Sequence, residues 1–153
     1  MNQLHLHLIL AHLPVIIIPL AALILTYAIL KSIDRFTMLA LILFIFSSAV
    51  TFPLYFTGDS AEESIEDSAQ FSESTIEKHE ESAETTLWLV STLGLLSMVS
   101  LLLRKFKPNY YNNKVLFFLL LLSLCTATSL ALTASRGGEI SHPEAFDKKS
   151  TGI

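Results

Sequence analysis

The apolar stretch LILAHLPVIIIPLAALILTYAIL occupies residues 8–30 and decides the class of fold. A helix needs about 20 predominantly apolar residues to cross the hydrocarbon core of a bilayer. Three further stretches, at 36–56, 85–103 and 115–133, have the same character. The sequence therefore predicts an all-α fold, a four-helix transmembrane bundle that forms one membrane domain over residues 1–153.

The composition of the whole chain agrees with this class. The 153 residues are 52% hydrophobic and 16% charged, and their mean hydropathy is +0.55. Neither a soluble domain nor a disordered chain has this composition. The single cysteine, Cys125, excludes an internal disulfide, and no C-x-x-C-H tract is present for covalent haem attachment. Exposed basic patches are too small for a nucleic-acid partner.

Charge asymmetry predicts how the chain is oriented in the membrane. The short loops at 31–35 and 104–114 carry the basic residues Lys31, Arg35, Arg104, Lys105, Lys107 and Lys114. Asp34 is the only acid in these loops, whereas most other acids lie in the connection 57–84. Short loops rich in Lys and Arg face the cytoplasm. Both termini and the acidic connection are therefore expected on the non-cytoplasmic side.

Capping patterns predict the local structure of the connection and of the last helix. Ser or Asp followed three residues later by Glu predicts a short surface helix over 61–67 and a third helix that starts near Thr75. The pair Gly137-Gly138 is expected to end the fourth helix, because glycine is favoured just after a helix. Helices 1 and 2 form one helical hairpin and helices 3 and 4 another. The two hairpins share the same arrangement, but the sequence shows no convincing internal repeat.

The predicted topology places all five histidines in one outer layer. They are His5, His7 and His12 at the start of the first helix, His79 at the start of the third, and His142 after the fourth. Histidine is the commonest metal ligand and the axial ligand of b-type haem. His7 and His12 differ by about 140° on a regular helix, so they cannot ligate one ion from the same side. The alternative is a set of interfacial histidines without a ligand.

A polar stripe on the fourth helix points to the same layer. Thr126, Ser129, Thr133 and Arg136 follow one another at helical spacing and share one face. Arg136 stands at the outer end of this stripe, where it could neutralise a haem propionate. The alternative is that Arg136 extends to phosphate headgroups and anchors the helix.

The opening segment 7–14, HLILAHLP, resembles the H-P-x-x-V-H-F-P opening of a four-helix bacterial membrane family of unknown function that is suspected of binding b-type haem. The third helix of that family opens near a histidine, which His79 matches. Its fourth helix ends in a glycine pair followed by histidine, which segment 137–142, GGEISH, resembles. This chain departs from the pattern by lacking proline after His7, by a shorter glycine-to-histidine spacing and by its long acidic connection.

The resemblance implies a location in the bacterial cytoplasmic membrane, with the histidines facing the periplasm or exterior. It also implies that His7, His12, His79 and His142 are the family's histidines. It names no substrate.

The leading hypothesis is a small b-type cytochrome that carries electrons. His12 and His79 would hold haem b, and His7 with His142 would form a second, shallower haem site. Electrons would pass from a membrane donor such as quinol to a basic partner that docks on the acidic connection. The simpler reading, which the sequence favours, is that the connection is a solvated surface that follows the positive-inside rule.

Two other hypotheses remain open. Carboxylates beside His79 at 77–81 could hold zinc, iron or manganese in a non-haem site. Alternatively, the chain is a cofactor-free structural subunit of a larger membrane complex. No residue is assigned a catalytic role, and electron transfer or a subunit role is favoured over a stand-alone enzyme. A haem site predicts visible absorption, and a non-haem site predicts bound metal without a Soret band.

Overall fold

The structure is a computed structural model, and it describes residues 3–63, 73–106 and 113–141. These residues form four helices and no strand: α1 (Gln3–Lys31), α2 (Asp34–Glu63), α3 (Glu73–Phe106) and α4 (Asn113–Ser141). Each predicted span lies inside one of these helices, so the all-α, four-helix class is confirmed.

All four helices are long and apolar enough to cross a membrane. The candidate spans are Ile9–Lys31, Asp34–Gly58, Ser74–Phe106 and Asn113–Ile140. Only 28–33% of the residues in each apolar window are buried inside the bundle. Large apolar side chains such as Leu23, Leu30 and Trp88 are exposed around it, and a water-soluble surface rarely presents so much apolar area. The protein is therefore an integral, multi-pass membrane protein whose outer surface contacts lipid.

The helices pack in a closed ring. Each helix contacts the one that follows it, and α4 returns to contact α1. The interior is filled by completely buried side chains, among them Ile18, Leu25, Leu41, Phe44 and Leu93. Helix association in lipid depends on close packing rather than on the exclusion of water, and small residues in the interior permit that approach.

A turn and an ion pair close the end of the bundle where α1 leads into α2. Ser32 has a φ of 53°, the N–H of Ile33 donates to the Ala28 carbonyl at 3.0 Å, and the N–H of Ser32 donates to the Ile29 carbonyl at 3.4 Å. This is the Schellman arrangement that ends a helix. Arg104, near the end of α3, forms an ion pair with Asp34 at the start of α2.

Helix ends agree only in part with the sequence predictions. α3 starts at Glu73, close to the predicted Thr75. The surface helix predicted at 61–67 begins as a continuation of α2, which runs to Glu63, and its remainder lies outside the described residues. The prediction that Gly137-Gly138 ends the fourth helix is wrong, because α4 continues to Ser141. Neither glycine has the positive φ of a helix stop.

Candidate cofactor site

His7 lies half-buried on the second turn of α1 and faces the end of α2. Its Nδ1 is 3.2 Å from the carbonyl oxygen of Leu54. A carbonyl oxygen can only accept, so Nδ1 carries the proton and donates it. Burial lowers the pKa of His7, and the hydrogen bond to Leu54 opposes that effect. The neutral ring is thereby favoured, and its unprotonated nitrogen is Nε2.

The hydroxyl of Thr57 shares the carbonyl that His7 uses. Thr57 Oγ1 donates to the Leu54 oxygen at 2.8 Å, and it lies 3.5 Å from Nδ1 of His7. The Leu54 oxygen therefore accepts from two side-chain donors.

His79 repeats this arrangement in the other hairpin. It lies half-buried in the second turn of α3, and its Nδ1 is 3.2 Å from the carbonyl oxygen of Thr133 on α4. The same reasoning assigns the proton to Nδ1 and leaves Nε2 unprotonated in the neutral ring. Each hairpin thus fixes one imidazole by a backbone carbonyl of its second helix.

A glycine lies beneath each imidazole ring. A Cβ atom built on Gly58 would lie 3.0 Å from Cε1 of His7, and one built on Gly137 would lie 3.1 Å from Cε1 of His79. Each glycine follows the accepting carbonyl by one helical turn, since Gly58 comes four residues after Leu54 and Gly137 four after Thr133. Any larger residue would push the ring away from its carbonyl.

The two imidazoles lie at the same end of the bundle, near the starts of α1 and α3. His79 also has the guanidinium of Arg136 as a neighbour. Arg136 is held beside it, because Nη1 donates to the carbonyl oxygen of Lys78 at 2.7 Å. One end of the bundle therefore contains two imidazoles from different hairpins and one guanidinium.

The remaining predicted ligands lie elsewhere. His12 is exposed, which agrees with its angular separation from His7 along α1. His142 lies outside the described residues, as does the side chain of His5. The structure thus places half-buried His7 and His79 at the same end of the bundle, and ligation by His7, His12, His79 or His142 stays a prediction.

Hydroxyl groups on α3 and α4 form a network directly below His79. Thr86 Oγ1 lies 2.6 Å from Ser129 Oγ and 2.9 Å from Thr133 Oγ1. Thr133 Oγ1 also donates to the carbonyl of Ser82 at 3.1 Å. The predicted polar stripe of α4 therefore faces α3, and Thr133 belongs both to this network and to the hydrogen bond of His79.

Carboxylates do not complete a metal site with these imidazoles. In the described ranges, no group of three or more His, Cys, Asp or Glu side chains could hold a metal ion. Glu77, Glu80 and Glu81 are exposed beside His79 on α3. The site consequently offers two nitrogen donors, whereas a structural zinc ion takes four protein ligands and a catalytic one three.

Sequence reasoning missed Gly58, Thr57 and the carbonyl of Leu54, and it gave Gly137 the wrong role. The available signal was a glycine near the end of α2 and another near the end of α4, the helices that follow the histidine-bearing helices α1 and α3. No individual residue pattern identifies a glycine that supports a ring on another helix.

Fold and site together define a multi-pass membrane protein with a two-imidazole site at one end of a four-helix bundle. No family model matches the chain, and no curated protein or solved structure matches it. The family resemblance of the opening segment stays a prediction, and the function has to be inferred from the site.

Proposed function

We propose that the protein is a small b-type cytochrome-like electron carrier whose haem is held between His7 and His79. The supporting observation is the hydrogen bond from each Nδ1 to a backbone carbonyl. Histidines that ligate metals almost always donate their other ring N–H to a carbonyl, a carboxylate or water, which fixes the tautomer and orients the ring. His7 thereby replaces His12 as the favoured partner of His79.

The donor set fits haem better than it fits a non-haem ion. A b-type haem could be held by two histidine nitrogens alone, since the porphyrin would supply the remaining nitrogen donors. Two imidazoles from opposite hairpins match that requirement. Zinc needs additional ligands that the described residues do not supply. When bound, the haem supplies a one-electron redox change, and the protein supplies orientation and electrostatics.

Residues around the imidazoles have distinct tasks in this proposal. The carbonyls of Leu54 and Thr133 hold the rings and increase the basicity of Nε2. Gly58 and Gly137 leave room for the rings. Arg136 places a positive charge beside His79, where it would pair with a propionate and would favour the reduced, less positive iron.

The orientation of the site in the membrane follows from the charged loops. The basic loops at 31–35 and 104–114 are assigned to the cytoplasm, so the site faces the periplasm or exterior of a bacterial cytoplasmic membrane. Exposed Glu77, Glu80, Glu81 and Glu84 project near His79 and favour a basic redox partner. The proposed electron donor is a membrane quinol.

The test is a visible spectrum of the detergent-purified protein after haem loading. A low-spin spectrum with two axial imidazoles is expected, and either His7→Ala or His79→Ala should abolish or convert it. His12→Ala is the matched control, because His12 belongs to the same helix and is exposed. It should keep the wild-type spectrum.

Each other outcome has a definite meaning. Loss of the spectrum in His12→Ala but not in His7→Ala would restore the pair predicted from the sequence. Metal detected by elemental analysis without a Soret band would favour the non-haem site. The absence of both haem and metal would favour a structural subunit.

A further inference from the structure

Buried positions in α1 recur in α3 at one constant spacing, the spacing that separates His7 from His79. Every buried position described in α1 has a buried counterpart in α3, and the reverse also holds. The pairs are Pro14 and Thr86, Ile18 and Val90, Ala21 and Leu93, Ala22 and Gly94, Leu25 and Ser97, and Ala28 and Ser100. The two helices therefore present the same face to the interior at the same distance from their histidines.

A second constant spacing relates α2 to α4. It separates Leu54 from Thr133 and Gly58 from Gly137, which are the carbonyl and glycine positions beside the two rings. Every buried position of α4 has a buried counterpart in α2: Thr37 and Leu116, Ala40 and Leu119, Phe44 and Ser123, Ser47 and Thr126, and Thr51 and Leu130. Only Leu41 has a half-buried counterpart, Leu120, and that residue packs against the core.

These correspondences give a structural basis to the common plan of the two hairpins, which the sequence does not show as an internal repeat. The repeat is one of burial and hydrogen bonding, and the paired side chains differ in type, as with Pro14 and Thr86 or Leu25 and Ser97. Sequence similarity between the halves is therefore low even though their geometry agrees. Since α1 and α3 run in the same direction, the hairpins are parallel repeats, related by an axis along the membrane normal.

We propose that α1–α2 and α3–α4 are two copies of one histidine-presenting module related by a quasi-two-fold axis, and that Gly58 and Gly137 are the positioning residues of its two imidazoles. The identity of the bound group as haem rests on the proposed function. The module itself rests on the contacts of His7 and His79.

Helix energetics support a dedicated role for both glycines. Glycine inside a helix is about 1 kcal/mol less favourable than alanine, and neither Gly58 nor Gly137 has a positive φ that would require glycine. The missing Cβ is instead explained by the ring above it, at 3.0 Å for Gly58 and 3.1 Å for Gly137. An added methyl group must displace a ring that is held by a carbonyl on the same helix.

The symmetry also defines the kind of ligand. The two modules present their imidazole nitrogens from opposite sides of the axis. This arrangement suits a ligand that can bind one imidazole on each of two opposite faces. The residue before each glycine breaks this symmetry, since it is Thr57 in one module and Arg136 in the other. An anionic substituent of the ligand would therefore lie on the Arg136 side.

The experiment is a pair of double-mutant cycles in the full-length protein. Gly58→Ala is combined with His7→Ala, and Gly137→Ala with His79→Ala, and unfolding is measured in detergent micelles without haem. With the ring removed, each Gly→Ala change should raise the folding equilibrium constant by up to about fivefold, the effect of better helix propensity. With the ring present, this gain should disappear or reverse. His7→Asn and His79→Asn also remove the ring and complete the cycles if the alanine variants fail to fold.

Haem affinity provides a second measurement. Gly58→Ala and Gly137→Ala should each weaken it by about 10–100-fold, the usual effect of losing a group that orients a ligand. Ser135→Ala is the matched control, because Ser135 is exposed on α4 two residues before Gly137.

The outcomes separate the module from the haem proposal. Equal effects of Gly→Ala with and without the facing histidine would overturn the positioning role. Energetic coupling between glycine and histidine in only one of the two modules would overturn the two-fold equivalence. Coupling at both glycines with no Soret band in any variant would support the module and overturn haem as its ligand.

Discussion

Replacement of Thr86 by valine tests the hydroxyl network that underlies His79. Thr86 is 4% exposed, and its hydroxyl lies 2.6 Å from Ser129 Oγ and 2.9 Å from Thr133 Oγ1. Valine keeps the shape of threonine and removes both contacts. A side-chain hydrogen bond between membrane helices contributes about 0.6 kcal/mol on average and up to about 1.7 kcal/mol. The loss of two such bonds predicts a destabilisation of about 1–3 kcal/mol.

The assay is reversible unfolding in mixed micelles, followed by far-UV circular dichroism. Thr128→Val is the matched control, because Thr128 is exposed on α4 and its hydroxyl bonds only its own helix, at the Leu124 carbonyl. That change should alter the free energy of unfolding by less than about 0.5 kcal/mol. Equal destabilisation by Thr86→Val and Thr128→Val would refute the view that the network joins α3 to α4.

Three further predictions address charge, backbone and topology. Arg136→Gln should lower the reduction potential of the haem-loaded protein by about 20–60 mV, since 59 mV is a tenfold change for one electron. Lys105→Gln at the other end of the bundle is the control. Equal potentials of the two variants in a redox titration would exclude a charge effect of Arg136. Ser32→Gly should raise stability by up to about 1 kcal/mol in the same micelle assay, because the φ of 53° at Ser32 suits glycine. In a Cys125→Ser background, a cysteine at Glu77 should react with an impermeant thiol reagent in intact cells and one at Ser32 should not; the opposite pattern would reverse the proposed orientation.

The number and class of the helices could be predicted because lipid imposes a length on every span. Four apolar runs of sufficient length leave little choice of fold. Helix ends beyond the apolar runs were less predictable, because polar residues such as Glu63 and Glu73 carry no hydropathy signal. The glycine pair at the end of α4 was misjudged, since a glycine that ends a helix and one that accommodates a ring look alike in sequence.

The candidate site was predictable as a layer but not as a pair. Topology alone places histidines from α1 and α3 at the same end of the bundle. The choice between His7 and His12 depends on which face of α1 packs against α2. Both faces of a membrane helix are apolar, so lipid-facing and core-facing residues are hard to tell apart. The contact of His7 with Leu54 and Gly58 settles which histidine faces the bundle.

The differences between the two modules matter as much as their equivalence. Thr57 donates to the carbonyl that His7 uses, so that carbonyl is shared and polarises the His7 ring less. At the equivalent position of the other module, Arg136 donates to the carbonyl of Lys78 and so places its charge next to His79. The Thr133 carbonyl that holds His79 belongs to a residue fixed by the hydroxyl network. The two equivalent imidazoles thus differ in their hydrogen bonding and in nearby charge. In the proposed function, the strongest electrostatic control of the redox group would lie on the α3–α4 side. Exchanging the residues between modules, with Thr57→Arg and Arg136→Thr together, should keep the net charge and move that control to the α1–α2 side.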